Sequence, residues 1–217
     1  MRSPTSPREN VDLARIPHRI RVPRTQGPHP TLVMLHGWEG DEDVTWIFAR
    51  SLGPEWLVAS PRGPFALERG FGWFHFDADG RTDPASFSEG LAAVTGFIDA
   101  LAAHYPVDRA RLVVLGFSQG GAMAYAYALA NVVGGVVSLG GFIPGTVPKP
   151  LPVLNGLPIL ILHGEHDPTI AVGIARKNRD QLTKAGAEVT YLEEPVGHKV
   201  GAEGMRLLAR WLADRAR

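Results

Sequence analysis

The stretch VVLGFSQGGAMAYAYALA, residues 113–130, decides how the chain is read. A continuously apolar run stops at two small polar residues, Ser118 and Gln119, with glycines at 116, 120 and 121, and then passes straight into an alanine-rich helical pattern. Gly116-Phe117-Ser118-Gln119-Gly120 fits G-x-S-x-G, a pattern that arises by chance in roughly one such chain in ten. Its setting between a strand and a helix is that of a nucleophile elbow, where a strained turn exposes a hydroxyl. Small neighbours let the strand and the helix approach closely. The alternative is a plain N-cap serine opening a helix.

Outward from this turn, strand-length apolar runs recur at 31–36, 56–60, 111–117, 134–141, 158–164 and 188–194. Most are continuously apolar, as in strands covered on both faces. Helical patterns fall between them at 41–52, 118–131, 170–185 and 201–215. The clearest helix carries Phe87, Leu91, Val94, Ile98, Leu101 and Tyr105 on one face, opens at Asp83-Pro84 and closes at Pro106. RIRVP at 19–23 adds an edge strand. Alternating strands and helices predict an α/β fold, a mainly parallel twisted sheet with helices on both faces. No repeat or linker divides the chain, so one domain over 1–217 is expected, with 1–15 as a flexible segment. Two Gly-, Pro- and aromatic-rich segments, 61–80 and 142–158, follow strands and are long enough to serve the site.

Composition narrows the function. Apolar residues make up 45% and charged residues 20%, and 22 acids balance 22 bases, so no overall field favours nucleic acid or an anionic membrane. The six arginines among the first 24 residues read as a solvated tail. The absence of cysteine removes disulfides, thiolate catalysis and Cys-based zinc sites. No apolar run is long enough to span a bilayer or to form a secretory core. A cytoplasmic protein without stable membrane insertion is expected, although a chain stripped of a leader would read the same. No pattern here speaks to oligomeric state.

A serine hydroxyl needs a base. In this fold the partners follow in the order serine, acid, histidine. After Ser118 the histidines are His163, His166 and His198. Asp167, just past a strand end in LHGEHDP, and His198, in the Gly-flanked loop GHKVG, meet the order together. The oxyanion of an attacked ester needs two preset donors. These are expected from the backbone N–H of Gln119 and that of Trp38, in LHGWEG after an early strand. His36 reads as a structural hydrogen-bonding residue. The crowded HGEHD lacks the helical spacing of a metal pair, and no metal is expected.

Taken together, LHGWEGDED, PRGP…GFGWFHF, GFSQGGAMA, LHGEHDP and GHKV resemble the phospholipase/carboxylesterase group of α/β-hydrolases, the acyl-protein-thioesterase-like serine esterases, over residues 20–215. The resemblance implies an α/β-hydrolase fold, a Ser118–Asp167–His198 triad, an oxyanion hole at Trp38 and Gln119, and no cofactor. It also implies that Trp73 lines the substrate pocket. Trp38, Phe142 and Ile143 are further candidate apolar walls. The short segment after SLGG leaves no room for a large lid. The expected activity is hydrolysis of small or medium acyl esters through an acyl-enzyme. Thioester or lysophospholipid cleavage by the same residues, or a non-catalytic binding protein, are the alternatives. One departure stands out: Glu39 occupies the position, two residues after His36-Gly37, where this group more often has glycine.

Overall fold

The computed structural model describes Leu13, Arg15–Arg50 and Leu52–Ala216. The predicted flexible segment therefore lies almost wholly outside the described residues, and of the two that are included, Leu13 is fully buried in the core.

Strands β1 (His18–Arg21), β2 (His29–Leu35), β3 (Leu57–Pro61), β6 (Val107–Phe117), β7 (Gly135–Leu139), β8 (Pro158–Gly164) and β9 (Glu188–Glu194) form a seven-stranded sheet. Its order is β1-β3-β2-β6-β7-β8-β9, and only β1 runs antiparallel to its neighbour. A two-stranded hairpin, β4 (Phe65–Ala66) and β5 (Phe71–Gly72), stands apart from it. The helices are α1 (Pro84–His104), α2 (Gln119–Ala130), α3 (Val172–Lys184) and α4 (Ala202–Ala213).

Alternation along β2 shows how the sheet is covered. Val33 and Leu35 join a core that includes Phe97 and Leu101 of α1, Met123 and Tyr127 of α2, and Ala175 and Leu182 of α3. Leu32 and Met34 point the other way, toward Phe48 and toward Leu208, Trp211 and Leu212 of α4. Both faces are therefore apolar, which explains the unbroken hydrophobic runs. The predicted face of α1 is buried at Phe87, Val94, Ile98 and Leu101, and the Asp83 carboxylate caps this helix by accepting the Ser86 N–H at 2.8 Å. Helix α2 is buried along nearly its whole length, which its Ala and Gly content permits.

Several boundaries differ from the sequence reading by one or two residues, and three differences have a plain physical cause. The helix expected over 41–52 is a short 3-10 helix, Val44–Ala49. The Asp41 carboxylate takes the N–H groups of Asp43 and Val44 and caps the turn ahead of it, but Val44, Thr45 and Ile47 are β-branched and do not favour an α-helix. Strand β6 starts at Val107, four residues early, through a register shift against β2. Strand β7 stops at Leu139 because Gly140 adopts φ +56°. The loop over 142–157 buries Val147 and Leu154 in the core and so forms no separate lid. Among the described residues no helix is long and apolar enough to cross a membrane.

Candidate active site

Between the end of β6 and the start of α2, Ser118 holds φ +52° and ψ −115°. A non-glycine residue in that region costs on the order of 1–2 kcal/mol, a strain that persists only where the surroundings impose it. Here they do. The Ser118 N–H donates to the Leu139 carbonyl at 2.8 Å, fixing the turn to the end of β7. A Cβ on Gly116 would collide with the Gly120 carbonyl, and one on Gly120 with the carbonyls of Leu35 and His36. Ser118 occupies the N-cap position, yet its side chain makes no capping bond, so the N-cap alternative does not describe it.

The acid and the histidine meet beside this turn. After β8, the Asp167 Oδ1 accepts the N–H groups of Thr169 (2.8 Å) and Ile170 (2.9 Å), while Oδ2 accepts Nδ1–H of His198 at 2.6 Å. Burial pushes the Asp167 carboxyl upward, but the His198 bond and the two backbone N–H groups together hold it below the ordinary aspartate range. The His198 ring lies 4.9 Å from the Phe117 ring, one residue before the serine. Gly140 passes beneath the pair: a Cβ there would stand 3.3 Å from His198 Cε1 and 3.7 Å from Asp167 Oδ2. Ser118, tied to Leu139, thus shares one corner of the sheet with His198 and Asp167.

Of the remaining groups of HGEHD, only His163 stays near the acid, its Nε2 3.5 Å from Asp167 Oδ2. His163 is buried and donates Nε2–H to the Ile170 carbonyl at 2.7 Å, whereas Glu165 and His166 are exposed. Among the described residues, no group of three His, Asp or Glu side chains is placed to hold a metal ion.

The loop after β2 closes the site from the other side. His36 is fully buried and neutral in its bonding pattern: Nδ1–H donates to the Gly37 carbonyl at 2.7 Å, and Nε2 accepts the Gly63 N–H at 2.8 Å. Burial pulls its imidazole below the ordinary value, against the upward pull of the Gly37 bond, Asp41 and Glu42. A Cβ on Gly37 would lie 3.4 Å from Ser118 Cβ, so this loop abuts the serine. Glu39 takes φ +60°, which gives the departure from glycine a physical meaning: the loop keeps its left-handed turn with a side chain attached. Among the described residues, no protein acceptor takes the backbone N–H of Trp38 or Gln119.

Gln119 also acts through its side chain, which the sequence did not reveal. Its Oε1 accepts the Trp73 N–H at 2.7 Å and its Nε2 donates to the Phe74 carbonyl at 2.8 Å, clamping the aromatic segment after β5. Trp73 is placed differently from the expectation. Its side chain is fully buried, tilted against His36 with ring centroids 5.0 Å apart and Nε1–H donated to the His36 carbonyl, so it supports the site from beneath and lines no open pocket. The accessible aromatics are Trp38 and Phe76, 5.6 Å apart, with Phe74 linking Phe76 (5.3 Å) to the half-buried Phe142 (6.5 Å). Ile143 is half-buried next to Phe142. Phe76 was missed because one aromatic in an aromatic-rich loop carries no periodic signal.

A second overlooked residue, Glu194, ends β9. Its buried carboxylate accepts the N–H groups of Gly201 (2.9 Å) and Glu203 (3.1 Å), so it spans the base of the loop that carries His198 and caps α4.

A parallel sheet with an elbow serine and a carboxylate-bound histidine at its C-terminal edge defines an α/β-hydrolase. The phospholipase/carboxylesterase family profile matches residues 18–215, and the chain belongs to that family. It is a hydrolase with carboxylesterases and thioesterases among its relatives. It is 27% identical to acyl-protein thioesterase 1 of Neurospora crassa, with 94% of each chain covered. The crystal structure of the Bacillus cereus carboxylesterase superposes with a TM-score of 0.83 at 25% identity, covering 93% of this chain and 95% of that one. A carboxylesterase from Mesorhizobium loti gives 0.81 at 26% identity, with 91% and 94% covered.

Proposed function

We propose that the chain is a serine esterase acting on small or medium acyl esters through an acyl-enzyme formed on Ser118. His198 Nε2 takes the Ser118 hydroxyl proton as Oγ attacks the ester carbonyl carbon. The resulting oxyanion accepts the N–H groups of Trp38 and Gln119. His198 then returns the proton to the leaving alkoxide as the carbon–oxygen bond breaks. Water, deprotonated by the same nitrogen, releases the acid and restores the serine. Asp167 holds the tautomer with Nδ1 protonated, leaving Nε2 basic, and stabilises the imidazolium. The observation carrying this reading is the combination of the strained, non-capping serine with the 2.6 Å His198–Asp167 bond at the same sheet corner. Trp38, Phe76, Phe142 and Ile143 supply the apolar surface for the acyl or alcohol group. One domain over the whole chain, acting on a small molecule, completes the proposal.

Ser118→Ala should abolish turnover of a short-chain nitrophenyl ester and covalent labelling by a fluorophosphonate. Labelling at an unchanged rate in the mutant would overturn the assignment. Cleavage of thioesters is the second reading, favoured by the Neurospora relative. Matched esters and thioesters of graded chain length separate the two by their kcat/KM ratios.

A further inference from the structure

The cleft between β1 and the 3-10 helix is lined by three guanidinium groups and one carboxylate. Its cavity of about 410 Å3 is lined by Arg19, Arg21, Arg50, Trp46 and a single carboxylate, Asp43. That carboxylate is already engaged by Arg19 at 3.0 Å, and the Arg19 guanidinium lies over the Trp46 ring at 4.2 Å. Arg21 is half-buried and finds one backbone acceptor, the Gly53 carbonyl at 3.2 Å. Among the described residues its Nε has no partner, and neither has the Trp46 indole nitrogen. Glu55 acts on Arg21 electrostatically, yet burial still pulls the guanidinium below its ordinary value. Arg50 is exposed and makes no ion pair among the described residues. Three guanidinium groups against one lining carboxylate leave the cleft positive, which favours an anion there. The rim is apolar: Val44 is 53% and Ile47 48% exposed.

We propose that this cleft binds an amphipathic anion, a phosphate or carboxylate head on an alkyl tail, with the head at Arg21 and Arg50 and the tail across Val44 and Ile47. Guanidinium forks suit such oxygens. The site is separate from the residues assigned to hydrolysis and does not depend on that chemistry.

The test follows the five tryptophan indole cross-peaks in a 15N–1H spectrum, with Trp46→Phe identifying the relevant one. Octyl phosphate below its micellar concentration should shift the Trp46 peak saturably, inorganic phosphate should do so more weakly, and octanol should leave it unmoved. Loss of one charge-assisted contact should weaken octyl phosphate about tenfold in Arg50→Gln and in Arg21→Gln. Arg50 is exposed, so Arg50→Gln remains informative if Arg21→Gln fails to fold, and its ester turnover should be unchanged. Sedimentation with phosphatidylglycerol vesicles, but not phosphatidylcholine vesicles, reduced by Arg50→Gln, would place the head group in a lipid. Saturable octyl phosphate binding without sedimentation would assign it to a free anion. A Trp46 peak that ignores octyl phosphate, follows octanol equally, or titrates alike in wild type and Arg50→Gln overturns the proposal.

Discussion

Replacing Glu194 with alanine should uncouple the histidine loop from the rest of the fold. The carboxylate accepts the N–H groups of Gly201 and Glu203, so residues 195–200 form a closed span with His198 inside it. A fully buried charge-assisted bond is worth about 1.5–3 kcal/mol. Gly201 is half-buried and Glu203 exposed, however, so water can replace much of the loss. The scale of a lost helix cap, about 1–2 kcal/mol, is the fitting one. For a domain of this size that is a fall in Tm of about 2–8 °C. Activity should fall further than stability implies. A displacement of about 1 Å in a catalytic group costs on the order of 100-fold in rate. Under the proposed mechanism, kcat for a nitrophenyl ester, measured well below Tm, should drop about 10- to 100-fold while KM changes less than about threefold. Glu194→Gln keeps one acceptor and should fall between. A Glu194→Ala enzyme with the expected loss of Tm and an unchanged kcat would show that Glu194 is a helix cap and nothing more.

Glu39→Gly should raise stability by about 0.5–1 kcal/mol, the relief of a left-handed side chain less the added freedom of the unfolded chain. A lower midpoint in urea would contradict the left-handed turn. Gly96→Ala, at an exposed helical position with open space around it, should stabilise by about 0.5–1 kcal/mol. Gly120→Ala must instead push against two backbone carbonyls and should destabilise by several kcal/mol. Equal midpoints for the two variants would refute the close approach at the elbow. His36 resists protonation when folded, while the unfolded chain takes up its proton near pH 6.5. Its contribution is therefore complete above that pH and is lost as pH falls below it, at up to about 1.4 kcal/mol per unit. Tm measured from pH 7.5 to 5 should decline more steeply for wild type than for His36→Gln, and parallel curves would remove His36 from the account.

The parallel sheet was readable because strands covered on both faces leave unbroken apolar runs, and the face of α1 because its period is helical. The strained turn at Ser118 and the bond between Asp167 and His198 lie where residue type and chain order both constrain chemistry. Side chains whose work is done on a distant backbone were not readable. The Gln119 amide bonds residues 73 and 74, and Glu194 bonds the start of α4. Neither partner is implied by local spacing. Trp73 was misplaced for a related reason: an aromatic in a Gly-rich loop can face solvent or anchor the loop, and only its indole bond to His36 decides. The 3-10 helix fell short of the predicted length because its β-branched residues, Val44, Thr45 and Ile47, weigh against an α-helix there.

The Gln119 clamp ties two tasks to one residue. Its main-chain nitrogen faces the elbow while its amide grips the aromatic segment after β5. Any rearrangement of that segment to admit a bulkier molecule must therefore tug on the first residue of α2. Variants selected for broader tolerance should accumulate changes at Phe76 and Phe142, on the free side of the ring chain, and leave residues 72–74 untouched.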